Sequence, residues 1–371
     1  MATHAIGPKA IFKSGYILNP RADVVWFLSL PFWALGLALA AHHWLPAMAE
    51  LSVALLVTAP HQFATWLRTY GFRDERQRWS IQLVAAPILI FSLTLVGLYY
   101  SPLTVVLLTF LWDHQHSLMQ QHGFARIYDF KAEAGAPSTR RYDLALSWIL
   151  YLTLFLTTPL WTEIWVRQLY QLDIQISASA VHTVHLVCWS ALAVFAVFYL
   201  RHLWWCVTNG YHLNPLKYVF LGSSYFLWFF ASCYGQSLLL YAIAHRLMHG
   251  LQYEVIVHSY IQRKASRSGI TKGVMAAMAR PGNVMLFVML GLIYAVMYQF
   301  VGGGGLEVFG FGVVNFAVQY DSIQEFGFGT LNSQRQIEVF GLGVITSLAI
   351  LHYYYDSFIW KVRDTKVQTG L

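Results

Sequence analysis

The chain has 371 residues, of which 57% are hydrophobic and 11% are charged. Soluble domains usually carry about 25% charged residues, so this composition excludes a surface that faces water on all sides. The net charge of +7 does not indicate nucleic-acid binding, because the Lys and Arg residues lie in short segments between apolar runs, as expected of cytoplasmic loops. The sequence therefore predicts an integral membrane protein, and we expect it in a bacterial inner membrane.

Apolar runs of roughly 20 residues, the length that crosses a bilayer core of about 30 Å, recur along the chain. Because lipid offers the backbone no hydrogen-bond partner, each run is predicted to be a helix. The predicted fold class is all-α, a polytopic transmembrane bundle that forms a single domain over residues 1–371. We predict about ten spans, at residues 24–41, 51–68, 81–100, 102–124, 143–161, 181–201, 218–233, 236–260, 283–301 and 337–360.

The topology follows from the apolar run at residues 218–260, which as one helix would be about 65 Å long. A turn near Gly235 divides this run into two spans and places the basic loops on one side of the membrane. Both termini are then cytoplasmic. Residues 302–336 become the longest outer loop, and we expect this loop to fold back as a cap.

The chain has fifteen histidines, and many lie in four predicted spans that run from the outer side inward. His245 and His249 are one helical turn apart, as are His352 and Asp356, so each pair shares a helix face. Metal sites in helix bundles are built from His and carboxylate side chains at this spacing. The candidate metal ligands are His61, His114, His116, His122, His245, His249, His352 and Asp356.

Three charged residues in these spans are candidates for catalytic roles. Asp356 would be a ligand or would orient one. Glu254, together with His258, would support the site or titrate. Arg246 would balance a carboxylate or hold an anionic group of the substrate, and the competing interpretation is that it snorkels to an interface. His114 and His116 lie about 200° apart on an ideal helix, so one of them would support a ligand without binding the metal itself.

The donor types narrow the choice of metal. Imidazole with carboxylate suits iron, zinc, manganese or copper. The three cysteines, at positions 188, 206 and 233, lie outside these motifs, which argues against an iron–sulfur cluster. Activation of an unreactive hydrocarbon calls for a redox metal, so we expect non-haem iron, as one or two ions, in preference to haem.

These motifs resemble those of the bacterial and archaeal Brp/Blh-type membrane β-carotene dioxygenases. In chain order they are Pro60-His61, His122 through Asp129, His245 with His249, and His352 through Asp356. The resemblance covers four short motifs, and the His-Gln-His sequence at 114–116 is additional to them. The resemblance implies a helical bundle with iron held by histidines and a carotenoid or other isoprenoid substrate.

We therefore expect an integral membrane non-haem iron oxidoreductase of the oxygenase or desaturase type. Its substrate would be lipophilic, such as a carotenoid, an isoprenoid or a fatty-acyl chain, and its partners would be the bilayer, dioxygen and an electron-donor protein. Two alternatives stay open. One is a transporter coupled to protons or metal ions, with the histidines and acids as a relay. The other is a subunit of a membrane complex that binds haem or a pigment.

Overall fold

The computed structural model describes residues 11–171, 173–235, 237–269, 272–280, 282–301, 333–361, 364–368 and 370. These residues are mostly helical, and the extended pairing among them is an isolated bridge between Phe12 and Leu213. The predicted all-α class is confirmed. Residues 302–332, which make up most of the predicted outer loop and cap, lie outside the described residues.

Short connections join most of the described helices. A π-helical turn, Val24–Leu28, lies between the first two α-helices. The α-helices are α1 (Pro20–Asp23), α2 (Leu30–Trp44), α3 (Ala47–Tyr70), α4 (Arg73–Arg78), α5 (Ser80–Tyr100), α6 (Pro102–Ala132), α7 (Thr139–Thr157), α8 (Pro159–Gln171), α9 (Ala178–Thr208), α10 (Pro215–Cys233), α11 (Leu238–Arg267), α12 (Val274–Ala279), α13 (Val284–Val301), α14 (Ser333–Ile359) and α15 (Thr365–Gln368).

The predicted spans fall on these helices. The break predicted near Gly235 is present, because α10 ends at Cys233 and α11 begins at Leu238. The predicted span 143–161 is divided between α7 and α8 at Thr158, whose ψ of 148° is extended. The residue before a proline disfavours the helical conformation, and Pro159 explains this break.

The number of helices that are apolar enough to cross a membrane is smaller than predicted. Among the described residues, α5 and α9 meet this condition, and the count rises to four if each of two bent helix pairs, at residues 20–44 and 139–170, is one span. The prediction of about ten spans is too high by this measure. The physical reason is that several long helices carry many polar side chains; α11, for example, contains Arg246, Glu254 and three histidines.

The helices group into two compact units. The first unit comprises residues 1–32 and 118–237, and the second comprises residues 33–117 and 238–371. In the first unit, α7 packs against α8, α9 and α10. In the second unit, α3 packs against α11, α13 and α14, and α14 also packs against α5.

Buried charges in the first unit are paired. Lys217 Nζ lies 3.0 Å from Asp129 Oδ2 and 3.1 Å from Asp143 Oδ2. Arg126 Nη1 lies 2.7 Å from Asp129 Oδ2, and Tyr199 Oη donates to Asp143 Oδ1 at 2.6 Å. A buried charge is tolerated when it is paired and hydrogen-bonded, so this network accounts for the polar interior of the first unit.

In the second unit, α11 is buried along most of its length, from Leu240 to Ala265. Polar side chains on such a helix need partners inside the protein. Its neighbour α3 is also closely packed, since a Cβ added at Gly291 of α13 would lie 3.0 Å from Pro60 Cβ. The histidines of α3 and α11 therefore face an interior shared by several helices.

A buried ion pair follows the C-terminal end of α3. Arg68 Nη1 lies 3.1 Å from Glu75 Oε2, and the two side chains are 1% and 2% exposed. Tyr260 Oη donates to Glu75 Oε1 at 3.1 Å, and Lys264 Nζ donates to the same oxygen. Burial raises the pKa of Glu75, but the charges of Arg68 and Lys264 outweigh this effect and lower the pKa to about 2.

Replacement of Glu75 by Gln is expected to destabilise the protein by about 3–5 kcal/mol, because Arg68 would stay buried without its partner. The pair contributes fully above the ordinary Glu pKa of 4.5, and its contribution is lost as the pH falls through the folded-state pKa of about 2. Thermal unfolding of the detergent-solubilised protein as a function of pH measures both effects.

The matched control is Glu163→Gln, which breaks an exposed pair with Arg167. Exposed pairs contribute little to stability, so this variant should unfold like the wild type. Equal unfolding temperatures for Glu75→Gln and the wild type would contradict the role given to the buried pair.

Candidate metal centre

Four imidazole rings from four helices meet in the second unit, and we call them the four-histidine cluster: His61 of α3, His116 of α6, His249 of α11 and His352 of α14. Neighbouring ring centroids are 5.1 Å apart for His61–His249, 5.1 Å for His249–His116, 4.7 Å for His116–His352 and 4.6 Å for His352–His61. A ring nitrogen binds a first-row metal at about 2.1 Å, so two imidazoles on one ion have centroids about 4.5–5.3 Å apart. Each neighbouring pair of rings therefore has the spacing of two ligands on one ion.

The ligand atoms fall into two overlapping groups, neither of which contains all four histidines. One ring nitrogen from each of His61, His249 and His352 lies within 4.8 Å of the other two. The same limit holds for a second group, formed by His116, His352 and a carboxylate oxygen of Asp356. His352 belongs to both groups and joins them into one centre, all members of which are buried or nearly so.

Several nitrogen atoms of the cluster make no hydrogen bond within the part of the chain that the structure describes. They are Nε2 of His116, Nε2 of His352 and at least one ring nitrogen of His61, which also interacts with the Thr58 backbone. An unsatisfied buried polar group costs about 1–3 kcal/mol, so a cluster with only a packing role would be expensive. A metal ion would satisfy one nitrogen on each ring that it binds, and imidazole with carboxylate is a donor set for iron, manganese or zinc.

A hydrogen-bond network behind the cluster holds His352. Thr65 Oγ1 lies 2.6 Å from His352 Nδ1 and 2.6 Å from Tyr253 Oη. Tyr253 Oη donates to Asp356 Oδ1 at 2.6 Å. A hydrogen bond at one ring nitrogen fixes the tautomer and the orientation of the other. Neither Thr65 nor Tyr253 was predicted from the sequence, although each lies one helical turn after a histidine of the cluster.

His245 and His114 lie beside the cluster but in neither metal group. His245 Nε2 is 3.0 Å from Ser117 Oγ, and His114 Nδ1 is 2.9 Å from the carbonyl oxygen of Phe110. The rings of His245 and His249 stack with centroids 5.6 Å apart. The two rings are one helical turn apart along α11. The ring of His249 lies in the cluster, and the ring of His245 lies beside it.

Two other predicted residues lie elsewhere. His122 belongs to the first unit, where Asp143 and Arg126 are among the charges that act on it, and it is in neither metal group. Glu254 is half-buried and lies outside both groups. Asp356, in contrast, is at the cluster, with Oδ2 3.8 Å from His116 Nε2.

A cavity of about 40 Å³ adjoins the cluster. A water molecule takes up about 30 Å³ of liquid volume, so the cavity has room for a small molecule beside the histidines. Its wall combines polar and apolar groups. The lining residues are Thr58, Ala59, His61, Gln62, Thr109, Asp113, His245, Arg246, His249, Tyr298, Ile345, Thr346, Ala349 and Tyr353.

Comparisons with protein-family models, with curated proteins and with solved structures return no match to this chain. The likeness to Brp/Blh-type dioxygenases therefore rests on the short motifs alone. His61, His249 and the His352–Asp356 segment from these motifs lie at the four-histidine cluster. The motif from His122 to Asp129 lies in the first unit.

Replacement of any one of His61, His116, His249 or His352 by Ala is expected to lower the metal content of the purified protein at least about tenfold, because changes even behind the ligands typically cost 10–100-fold in affinity. His245→Ala should keep most of the metal, since its ring lies outside both groups. Elemental analysis after size-exclusion chromatography measures the metal per chain.

His202→Ala is the control for loss of a buried histidine, because His202 Nε2 bonds Thr139 in the first unit. This variant should retain metal at the wild-type level. A loss of metal from His245→Ala together with retention in His249→Ala would contradict the assignment of His249 as the ligand on α11.

Thr65→Val keeps the shape of the side chain but removes the hydroxyl that bonds His352, so we expect about a 10–100-fold loss of metal affinity. Thr65→Ser restores the hydroxyl and should restore most of the affinity. Competition with a chromophoric chelator measures the dissociation constant. Thr69→Val is the matched control, because the Thr69 hydroxyl bonds backbone carbonyls only, and equal losses from both valine variants would rule out a specific role for Thr65.

Proposed function

We propose that this chain is an integral membrane oxidoreductase that holds non-haem iron in the four-histidine cluster and uses dioxygen to oxidise a lipophilic substrate. The observation that carries the proposal is the cluster itself, in which buried nitrogens of His61, His116 and His352 lack hydrogen-bond partners among the described residues. Iron held by imidazole and carboxylate groups, when a coordination position is open, supplies the activation of dioxygen in non-haem oxygenases.

The side chains around the cluster have different roles in the proposed reaction. Thr65 orients His352 so that Nε2 faces the cluster. Asp356 lies between Tyr253, which donates to Oδ1 at 2.6 Å, and His116, which is 3.8 Å from Oδ2. A carboxyl group in this position can hold or accept a proton at the edge of the site. The adjoining cavity is small, which limits the water that enters with a substrate.

Membrane insertion is part of the proposal and is supported by the apolar surface. Of the most apolar 18-residue window in α9, 6% is buried, and the corresponding value for α5 is 22%. Val194, Val197 and Leu200 on α9 are more than half exposed. Soluble monomers rarely expose large continuous apolar patches, whereas a bilayer covers them. We propose that the helices with the histidines also cross the membrane and that both termini are cytoplasmic.

The proposal is tested on protein purified from membranes without added metal. We expect stoichiometric iron, an optical spectrum without a Soret band, and oxygen consumption that depends on a lipophilic substrate, with carotenoid, isoprenoid and fatty-acid candidates compared. His352→Ala should abolish both iron binding and oxygen consumption, and His202→Ala should abolish neither.

Three results would overturn the proposal. Protein that folds correctly and never contains a redox metal has no oxygenase centre. A Soret band would identify a haem-binding subunit. Metal or proton flux across reconstituted vesicles, without oxygen consumption by any candidate, would identify a transporter.

A further inference from the structure

Arg246 is a buried cation beside the proposed metal centre. It lies on α11 between His245 and His249, is 9% exposed and lines the cavity that also contacts His61. An arginine side chain has five N–H donors and stays charged in proteins. Among the described residues, its guanidinium donates from Nη1 to Thr58 Oγ1 at 2.8 Å, and further N–H donors remain for another partner.

Arg246 differs from the other buried cations that the structure describes. Arg68 lies 3.1 Å from Glu75, and Lys217 lies 3.0 Å from Asp129. Within the described ranges, no carboxylate oxygen lies within 4.0 Å of Arg246. Asp113 lines the same cavity but interacts with Tyr353. An unpaired buried charge is expensive, so an anion in the cavity would stabilise this arrangement.

We propose that Arg246 binds the carboxylate of the substrate, which is therefore a long-chain carboxylic acid and not a neutral hydrocarbon. This inference rests on the proposed function for the reaction, although the anion site requires only Arg246 and the cavity. Guanidinium pairs with a carboxylate through two parallel hydrogen bonds. The cavity volume of about 40 Å³ matches a carboxylate group, and Ile345 and Ala349 on its wall provide apolar contacts for the first methylene groups.

The position of Arg246 also indicates which part of a bound substrate would lie closest to the cluster. The cavity is lined by both Arg246 and the cluster residues His61 and His249. A carboxylate bound by Arg246 would hold the adjacent carbon atoms of the chain closest to the cluster. A neutral polyene such as a carotene offers no group that can pair directly with the Arg246 guanidinium, and the desolvated guanidinium would disfavour it.

The test compares the binding of palmitate, hexadecanol and hexadecyl phosphate to the purified, detergent-solubilised protein by competition with a fluorescent fatty acid. Hydrogen bonds to charged groups contribute about 1.5–3 kcal/mol, so we expect palmitate to bind about 10–100-fold more tightly than hexadecanol. Arg246→Met should remove this preference. Arg246→Lys should keep part of it, because the charge remains but the two-pronged geometry is lost.

Arg167→Met is the control, since Arg167 is exposed and pairs with Glu163; it should leave the preference unchanged. Equal binding of palmitate and hexadecanol to the wild type would overturn the proposal, as would tighter binding of hexadecyl phosphate than of palmitate. A preference for palmitate that survives in Arg246→Met would overturn it as well.

The same samples separate this inference from the proposed function. Iron content is measured alongside binding for the wild type and for His249→Ala. If the wild type contains iron but shows no preference for palmitate, the anion site is refuted and the metal centre is not. A palmitate preference that depends on Arg246 in protein that never contains iron supports the anion site and refutes the oxidoreductase.

Discussion

The second unit depends on one constraint, the burial of several imidazole nitrogens away from hydrogen-bond partners. The rings of His61 and His352 lie 4.6 Å apart, and nitrogens on both rings lack partners among the described residues. A few such groups at about 1–3 kcal/mol each amount to a large part of a typical net stability of about 5–15 kcal/mol. The metal ion that we propose would offset that cost for the packing of α3, α11 and α14, and the spacing of neighbouring rings suits such an ion.

The buried cations have two different kinds of surroundings. Arg68 and Lys217 each have carboxylates within ion-pair distance, and these pairs account for structural burial. Arg246 has a neutral hydroxyl as its hydrogen-bond partner and faces a cavity instead. A divalent ion at the neighbouring histidines would add further positive charge to this side of the unit. The electrostatic field in the cavity would then favour an anion, and the metal site and the anion site would reinforce each other.

Helical spacing explains how much of this site the sequence predicted. The one-turn spacing of His352 and Asp356 predicted a shared location, and ligand atoms of both lie in one group with His116. The shared metal site that the recurrence of histidine on four helices indicates stays a prediction. The same spacing did not predict which of His245 and His249 lies in the cluster. Residues four apart share a helix face but lie at different positions along the helix axis. Thr65 and Tyr253 were missed because single hydroxyl groups in apolar segments give no sequence signal of a metal site. Their role depends on the approach of α3, α11 and α14, which a single sequence does not reveal.

The same physical reasoning explains why hydropathy identifies some long helices as membrane spans and not others. A helix that exposes most of its surface, such as α9, would face lipid in the proposed membrane protein, and its mean hydropathy of 1.9 suits that environment. A helix surrounded by other helices can carry polar residues, because its neighbours supply their partners. α11 is buried along most of its length and contains two histidines and an arginine at the proposed site. Among the described residues, α3, α6, α11 and α14, which carry the four-histidine cluster, are absent from the candidate spans. Polar residues at a buried site lower the hydropathy of such helices.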